Sequence, residues 1–481
     1  MNYYDLLRLA APETVLVVTA LIVLALGLSS SRASNLCSAA AAAGLLFASS
    51  AVLMLPAQAS LFNGMLVITP LVSLFKVICI ALAFFTVILA REFNPPHHGE
   101  YLALLLLATV GLMLLVGSEE LLVIFIGLEL TGLSLYVMAA FDKTSVQSAE
   151  AGLKYFLFGS TASAFTLFGI SLIYGMTATT SLPAIAAKLS AMTPLLATGI
   201  TMTLIGFAFK IAAAPFHLWA PDTYQGAPAS SAAFIASASK VASFVVLGKI
   251  VLIGFGSAQG TAAWHAMAAG WAPLLAMLAA LSILIGNLAA LAQSNVRRLL
   301  AYSAVAHAGY TLLGLIAGGR DGFSATLFYT TIYAFTLVGA FGIVALVRRE
   351  TGGDDFTHFA GLRRRSSWLA GCMAVFMLSL AGIPPLAGFF GKFYLFSAAL
   401  GMGRNYGLLW LVALALFGSL ISFYYYLLVL KVIFVDSSAS RGPAFRVDLL
   451  QRSAIGLLAL VVLFLGVFPG GLVWKISSAL P

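Results

Sequence analysis

The feature that most constrains this chain is a succession of apolar runs, each long enough to cross a bilayer and separated by short connections. A helix needs about 20 mostly apolar residues to cross roughly 30 Å of hydrocarbon. Hydrophobic residues make up 62% of the 481 residues and charged residues only 9%, and the mean hydropathy is +1.05. Because so little polar surface cannot cover a water-soluble body, the sequence predicts an integral membrane protein.

The runs divide into about fourteen candidate transmembrane helices, and no connection between them is long enough for a soluble domain. We therefore predict an all-α, polytopic membrane protein. In chain order the expected spans cover residues 13–29, 36–55, 65–90, 100–117, 120–141, 152–176, 190–225, 229–256, 271–293, 298–317, 323–348, 367–402, 407–435 and 452–473.

The basic residues of the connections support this count and indicate an orientation. With fourteen spans, thirteen lysines and arginines fall on one face and five on the other. Positive charge concentrates on the cytoplasmic side of a membrane, so we expect both termini outside the cytoplasm. The thirteen are Arg32, Arg91, Lys143, Arg297, Arg298, Arg348, Arg349, Arg363, Arg364, Arg365, Arg441, Arg446 and Arg452, and the five are Arg8, Lys188, Arg320, Arg404 and Lys475.

The seven basic residues that remain are all lysines, and they lie within the spans or at span ends. Arginine keeps its proton under any protein conditions, whereas a desolvated lysine can lose it. Fixed charges therefore mark the two faces, and titratable charges lie between them. The seven are Lys76, Lys154, Lys210, Lys240, Lys249, Lys392 and Lys431.

Two spans are expected to be interrupted helices, because each carries prolines deep within an apolar run. Proline removes a backbone donor and clashes with the preceding turn. The two spans are the fourth members of two successive five-span units, spans 4–8 and 9–13, so we predict an inverted repeat with an ion path at its broken helices. The residues concerned are Pro215, Pro221 and Pro228 in the seventh span, and Gly382, Pro384, Pro385, Gly388 and Gly391 in the twelfth.

Several ionisable residues are expected near mid-membrane, where a charge costs at least about 2.5–3.5 kcal/mol on insertion scales. Their spacing predicts proton-binding groups along a buried line that crosses both units. Glu129 with Lys210 could instead form a structural ion pair, and His307 a hydrogen bond between helices. The residues of the expected line are Glu129, Lys210, Lys240, His307 and Lys392.

Three of the other lysines lie nearer to span ends. Lys249 and Lys431 are expected to extend their ammonium groups to the membrane surface. Lys154 is equally compatible with a surface position and with the buried line, and the sequence gives no place for Lys76.

The sequence also excludes several chemistries. Cys37, Cys79 and Cys372 lie singly in apolar segments, which excludes a cysteine-ligated iron–sulfur centre and a disulfide framework. No pair of mid-membrane histidines offers haem ligation, and the short basic loops do not form a nucleic-acid-binding domain. We therefore expect no cofactor and no metal ion in this chain.

The motifs resemble the antiporter-like membrane subunits of respiratory complex I, the bacterial NADH:quinone oxidoreductase. The resemblance covers essentially the whole chain. It rests on GFAFKIAAAPFHLWAPDTYQGAPAS at 206–230, the downstream Lys240, GLELTGLSLYVM around Glu129, and AGIPPLAGFFGKFYLF at 381–396.

The resemblance implies a proton-translocating subunit of the bacterial inner membrane, in which the positive-inside rule places both termini on the periplasmic side. It implies that other membrane subunits and lipid are the partners, and that NADH, FMN, iron–sulfur clusters and quinone bind in partner subunits. The expected organisation is three N-terminal spans in 1–99, two five-helix repeats in 100–256 and 271–435, and a final span in 452–481. The implied proton-channel residues are Glu129, Lys210, Lys240 and Lys392, with His307 and Lys154 as accessory members.

Two other functions remain open on sequence. One is a subunit of a multisubunit sodium/proton antiporter, which resembles the same motifs. The other is a self-contained secondary transporter, although no span offers a cluster of polar side chains for a solute. Copurification with flavin- and iron–sulfur-containing partners distinguishes a complex I subunit from both of these alternatives.

The orientation can be tested with a reporter that fluoresces only in the cytoplasm. Because the positive-inside rule places both termini outside, a fusion after Pro481 should stay dark and an insertion beside Arg363–Arg365 should fluoresce. Fluorescence from whole cells, normalised to the amount of fusion protein, is the measurement. The opposite pattern would overturn the fourteen-span topology.

Overall fold

The protein is a bundle of membrane-spanning helices. The structure, a computed structural model, describes residues 3–29, 34–91, 97–189, 192–401, 407–436 and 447–480. The helices are α1 Tyr3–Leu9, α2 Ala11–Ser29, α3 Ser34–Leu53, α4 Pro70–Ala90, α5 His98–Gly117, α6 Leu121–Ala139, α7 Val146–Thr177, α8 Leu182–Lys188, α9 Pro194–Lys210, α10 Trp219–Gly226, α11 Ala229–Ala236, α12 Ala238–Lys249, α13 Trp271–Leu291, α14 Val296–Ala317, α15 Gly319–Thr351, α16 Phe356–Phe359, α17 Leu362–Arg365, α18 Ser367–Ala381, α19 Ala387–Gly401, α20 Leu409–Phe434, α21 Leu449–Val467 and α22 Gly470–Ala479.

Twelve helical segments among the described residues are long and apolar enough to cross a membrane, which confirms a helical, polytopic membrane protein. They are α2 to α7, the combined segment Ala229–Gly254, α13 to α15, α20 and α21. Counting the two interrupted segments once each would give the fourteen spans expected from the sequence. That count and the inverted repeat stay predictions, because the interrupted segments consist of helices too short to cross alone.

A small β-hairpin contains the only two strands among the described residues. Strands β1 Ala59–Leu61 and β2 Leu66–Ile68 pair antiparallel, with Ala59 opposite Ile68. The turn between them places Phe62, Asn63 and Gly64 at positive φ. Asn-Gly favours such a conformation. Because residues 66–68 form the second strand, the expected third span begins at Pro70 and not at residue 65.

The two interrupted helices lie where the prolines indicate. Helix α9 ends at Lys210 and α10 begins at Trp219, so the break contains Pro215. Helix α18 ends at Ala381, and Gly382 follows at φ +86° in a left-handed cap. Both breaks leave backbone groups without helical partners, which the surrounding protein must satisfy.

Side chains from neighbouring elements satisfy the freed backbone groups. At the first break, Ser282 of α13 accepts from the Ala214 N–H at 2.8 Å, and the Trp219 indole donates to the Phe209 carbonyl at 3.1 Å. At the second break, Ser379 accepts from the Gly388 N–H at 3.2 Å. The breaks are therefore held by defined contacts within the bundle.

A third interruption, in the expected eighth span, was not predicted. Helix α11 ends at Ala236 and α12 begins at Ala238, with Ser237 at φ −114° and ψ −84° between them. The Ser237 hydroxyl bonds the Ala233 carbonyl at 2.6 Å, which competes with the backbone ladder. No proline marks this position, so the sequence gives no signal for it.

Both ends of the described chain lie on one side of the bundle, which we call the terminal face. Helix α1 contacts strand β1 there. The connection after α5 also lies there, since Ser118 and Glu120 form backbone bridges to Leu66 and Ser181. The 33-residue α15 runs from this face through the centre of the bundle and packs against α11, α12, α14, α18 and α19.

A buried arginine of α14 ties the end of α10 to the connection after α15 at the opposite face, which we call the basic face. Arg297 is only 1% exposed, forms an ion pair with Asp354 and donates to the Ala227 carbonyl at 2.8 Å. Arg348 contacts the same carboxylate at 3.2 Å. Arg32, Arg404, Arg441 and Arg446, which the sequence assigns to the two faces, lie outside the described residues.

Loss of the Asp354 carboxylate should destabilise the bundle. Asp354→Ala leaves the Arg297 charge buried and unpaired, which costs about 3–5 kcal/mol in comparable cases. The exposed neighbour Asp355 offers a matched control, so Asp355→Ala should change the melting temperature far less. Thermal unfolding in detergent, followed by tryptophan fluorescence, measures both, and equal melting temperatures would contradict this role for Asp354.

Candidate functional site

Glu129 and Lys210 meet at the junction of α6, α7 and α9. Both line a cavity of about 20 Å³ together with Ser163, whose hydroxyl donates to the Glu129 carboxylate. Although the structure describes both residues, they form no ion pair within 4 Å. The two side chains therefore lie at one small cavity, whereas the structural ion pair that the sequence left open is not formed.

The Lys210 ammonium group is held mainly by aromatic faces. Lys210 is the buried last residue of α9, and its Nζ lies 5.8 Å from the Tyr136 ring centroid and 6.0 Å from that of Tyr155. Within the described part of the chain it has neither a hydrogen bond nor an ion pair. Cation–π contacts of this length are weak substitutes for hydration.

Lys240 lies on α12, one turn after the interruption at Ser237. Its Nζ donates to the Ala304 carbonyl of α14 at 2.7 Å and lies 5.7 Å from the Tyr333 ring centroid. The side chain is buried, and no carboxylate among the described residues pairs with it. A backbone carbonyl is thus its only hydrogen-bond partner there.

His307 occupies the middle of α14 and is hydrogen-bonded through both ring nitrogens. The Tyr329 hydroxyl lies 2.6 Å from Nδ1, and the Tyr426 hydroxyl lies 3.0 Å from Nε2. The Tyr333 ring lies 4.8 Å from the imidazole and the Tyr310 ring lies 5.6 Å from it, between centroids. An imidazole bonded on both sides can accept a proton at one nitrogen and release one at the other.

Lys392 on α19 reaches back to the end of the broken α18. Its Nζ donates to the Ala381 carbonyl at 3.1 Å and to the Ser419 hydroxyl at 2.9 Å, and lies 5.4 Å from the Tyr310 ring centroid. The negative end of the α18 dipole and its freed carbonyl both favour a cation at this position.

The structure brings Lys240, His307 and Lys392 together in one row, with tyrosine rings between them. Tyr333 lies between Lys240 and His307, and Tyr310 lies between His307 and Lys392. These tyrosines were not predicted from the sequence. Their only sequence signal is the i,i+4 spacing of Tyr329 and Tyr333, which is equally typical of an aromatic core.

Lys154 lies apart from this row, at the basic face. It is 37% exposed and contacts Glu150 and Asp222, each at 2.6 Å. Asp222 also pairs with Arg298 at 2.6 Å, so Lys154 belongs to an ionic network between α7, α10 and α14. Two carboxylate partners favour a permanently charged ammonium.

The remaining lysines divide by burial. Lys431 is exposed, in agreement with the surface position expected for it. The same expectation is wrong for Lys249, the last residue of α12, which is only 3% exposed because its side chain packs against α5. Lys76, which the sequence could not place, is buried in an ion pair with Glu13. Among the described residues no group of three His, Cys, Asp or Glu side chains could hold a metal ion.

Comparison with known proteins identifies the family of this chain. A family model described as NADH:quinone oxidoreductase/Mrp antiporter, transmembrane, matches residues 118–422. NADH-quinone oxidoreductase subunit N 2 of Acidobacterium capsulatum is 47% identical over 485 aligned positions, which cover 98% of each chain. All six site residues expected from the sequence fall within the matched region.

Solved structures agree with this result. A chain of respiratory complex I from Thermus thermophilus, determined with bound aureothin, matches with a TM-score of 0.80 at 32% identity and covers 97% of this chain and 100% of that one. A chain of the Mrp complex from Dietzia sp. DQ12-45-1b has a TM-score of 0.82 at 21% identity, covers 100% of this chain and 97% of that one, and shows a shared fold alone. The chain therefore belongs to the family of transmembrane subunits of NADH:quinone oxidoreductases and Mrp antiporters, in which its similarity is to NADH-quinone oxidoreductase subunit N.

Proposed function

We propose that this chain is the antiporter-like subunit that translocates protons in a bacterial NADH:quinone oxidoreductase. The observation that carries the proposal is the row of Lys240, His307 and Lys392. Its buried lysines contact carbonyls, a hydroxyl and tyrosine rings, with no carboxylate partner in the part of the chain that the structure describes. Such partners stabilise an ammonium group without fixing its proton.

These contacts suit proton transfer better than binding of a solute. A lysine that can lose its proton serves as donor in one state and acceptor in the other. A secondary transporter of a solute would need converging polar side chains, whereas this row offers ionisable groups separated by aromatic rings. In the proposal, protons move between Lys240 and Lys392 through His307.

Glu129 and Lys210 form the second part of the proposed path. The carboxylate lies close enough to attract a proton to Lys210, yet it does not form a closed ion pair with it. We propose that Glu129 sets how readily Lys210 is charged. Lys154 stays a predicted accessory member, although its contacts favour a fixed charge at the mouth of the path on the basic face.

The other predicted features complete the proposal. NADH, FMN, iron–sulfur clusters and quinone would bind in partner subunits, so electron transfer would drive this chain from outside it. Its neighbours would be other antiporter-like and small membrane subunits in the bacterial inner membrane, with both termini periplasmic. The boundaries 1–99, 100–256, 271–435 and 452–481 are proposed as three N-terminal spans, two repeats and a final span. The 47% identity to a subunit N favours this assembly over a sodium/proton antiporter complex.

Removal of the Glu129 charge tests its proposed influence on Lys210. Glu129→Gln keeps the shape but weakens the attraction that holds a proton on Lys210, so translocation should slow roughly tenfold, equivalent to about 1.4 kcal/mol. Glu129→Asp keeps the charge and should lose less. Proton uptake by vesicles is measured per amount of assembled complex. Normal translocation by an assembled Glu129→Gln complex would remove Glu129 from the path.

Substitution of Lys392 separates a titrating group from a fixed charge. Arginine retains the positive charge but effectively never releases its proton, so Lys392→Arg should assemble and yet translocate at about a tenth of the normal rate or less. Lys392→Ala should assemble less well, because it leaves the Ala381 carbonyl without its partner.

The control for this change is Lys431→Arg, the same substitution at an exposed lysine of α20, which should translocate normally. The measurement is the pH gradient formed by vesicles during NADH oxidation, again normalised to assembled complex. Full translocation by Lys392→Arg would show that Lys392 is a structural cation.

A further inference from the structure

Two buried lysines outside the proposed path converge on the C-terminal end of α5. Lys249 donates from Nζ to the Val116 carbonyl at 3.0 Å. Lys76 packs against Gly117, where an added Cβ would lie 3.5 Å from the Lys76 Nζ. The last carbonyls of a helix lack intrahelical partners and carry the negative end of its dipole, so this end of α5 attracts cations.

Each of these lysines has one carboxylate nearby, and the two pairs differ in closeness. Lys76 Nζ lies 2.6 Å from Glu13 Oε1, with both side chains largely buried. Lys249 Nζ lies 3.5 Å from Glu119 Oε1, and the Glu119 side chain is 20% exposed. The first pair is closed, whereas the second is loose and has one partner within reach of solvent.

A cavity of about 750 Å³ on the terminal face explains the exposure of Glu119. Glu119 and Lys249 both line it, together with the polar side chains of Gln58, Gln259 and Arg320. The space is large enough for several waters beside polar groups. Glu119 is therefore the more exposed member of the pair at this cavity, next to the almost completely buried Lys249.

The position along α12 relates this pair to the proposed path. Lys249 follows Lys240 by nine residues on the same helix, so at about 1.5 Å per residue it lies roughly 13 Å nearer the terminal face. The two side chains point to opposite sides of α12, since Lys240 contacts α14 and Lys249 contacts α5. The pair is thus a separate site and not a continuation of the row.

We propose that Glu119 and Lys249 form a proton-exchange site between the membrane interior and water on the terminal face. The Lys249 ammonium passes a proton to the Glu119 carboxylate, which gives a neutral amine and a carboxylic acid. The acid then releases that proton to a water molecule in the cavity, and the amine takes a new proton from the interior. The inference rests on the proposed function, because the interior must supply protons.

The charges around the pair are compatible with this exchange. Glu13 and Lys76 cancel each other from α2 and α4, and Glu120 is occupied in capping α6 through the Val123 N–H at 2.7 Å. On α15, Arg320 lies at the cavity and provides a fixed positive charge. Lys188 of α8 donates to the Thr177 carbonyl instead of facing the pair.

The isosteric variant Glu119→Gln tests the exchange step. It cannot accept the proton, so translocation by assembled complex should slow at least about tenfold. Glu100→Gln, the same change at a carboxylate at the start of α5 on the basic face, is the control and should translocate normally. Equal rates for both variants would overturn the inference. Lys392→Arg is run in parallel, and if it too translocates at the normal rate, the proposed path through Lys392 fails as well.

Chemical labelling tests whether the cavity reaches solvent. A positively charged methanethiosulfonate reagent, added to detergent-purified complex, should modify Glu119→Cys within minutes and leave the native chain unmodified. The native Cys37, Cys79 and Cys372 are buried and serve as the internal control. A Glu119→Cys chain that stays unmodified would overturn the inference. It would show that water does not reach position 119, so the native Glu119 carboxylate could not exchange protons with it.

Discussion

The rest of this structure depends on the cost of keeping an ammonium group in the low-dielectric interior of a membrane. At the bilayer centre that cost is at least about 2.5–3.5 kcal/mol, so each buried lysine needs a substitute for water. Lys240 finds it in a carbonyl of α14, and Lys392 in a carbonyl and a hydroxyl. A closed carboxylate pair would stabilise the charge more strongly, but it would also hold the proton in place. Because their partners are uncharged carbonyls and a hydroxyl, the ammonium groups of these lysines are costly to bury. For the same reason they are suited to release protons.

The two broken helices differ in what they offer the lysine near the break. At the second break, the freed Ala381 carbonyl holds the Lys392 ammonium. At the first break, the Phe209 carbonyl already accepts from the Ala212 N–H at 2.9 Å and from the Trp219 indole, and Lys210 lies against the Tyr136 and Tyr155 rings. Similar breaks thus leave one lysine anchored and the other nearly free. The nearly free lysine, Lys210, is also the one that has a glutamate, Glu129, close by. A nearby charge has its largest influence on an ammonium group that has no other strong partner.

The sequence was sufficient for those features that depend on local chemistry. Apolar runs predicted the spans, and prolines predicted the interruptions before Trp219 and Ala387, because both effects act within a few residues. The interruption at Ser237 and the burial of Lys249 could not be predicted, since each depends on packing against other helices. The tyrosines around His307 were missed for the same reason. Tyr426 lies 119 residues from His307 in sequence, and nothing local distinguishes it from a tyrosine of an ordinary core.

Several charges of the basic face are arranged in the opposite way, with close partners of opposite charge. Arg297 is paired with Asp354 and tied to the Ala227 carbonyl, while Asp222 holds both Lys154 and Arg298. These ties connect α7 and α10 to α14. They lie apart from the row of Lys240, His307 and Lys392. In the proposed path, a proton that leaves Lys240 or Lys392 therefore leaves these ion pairs intact.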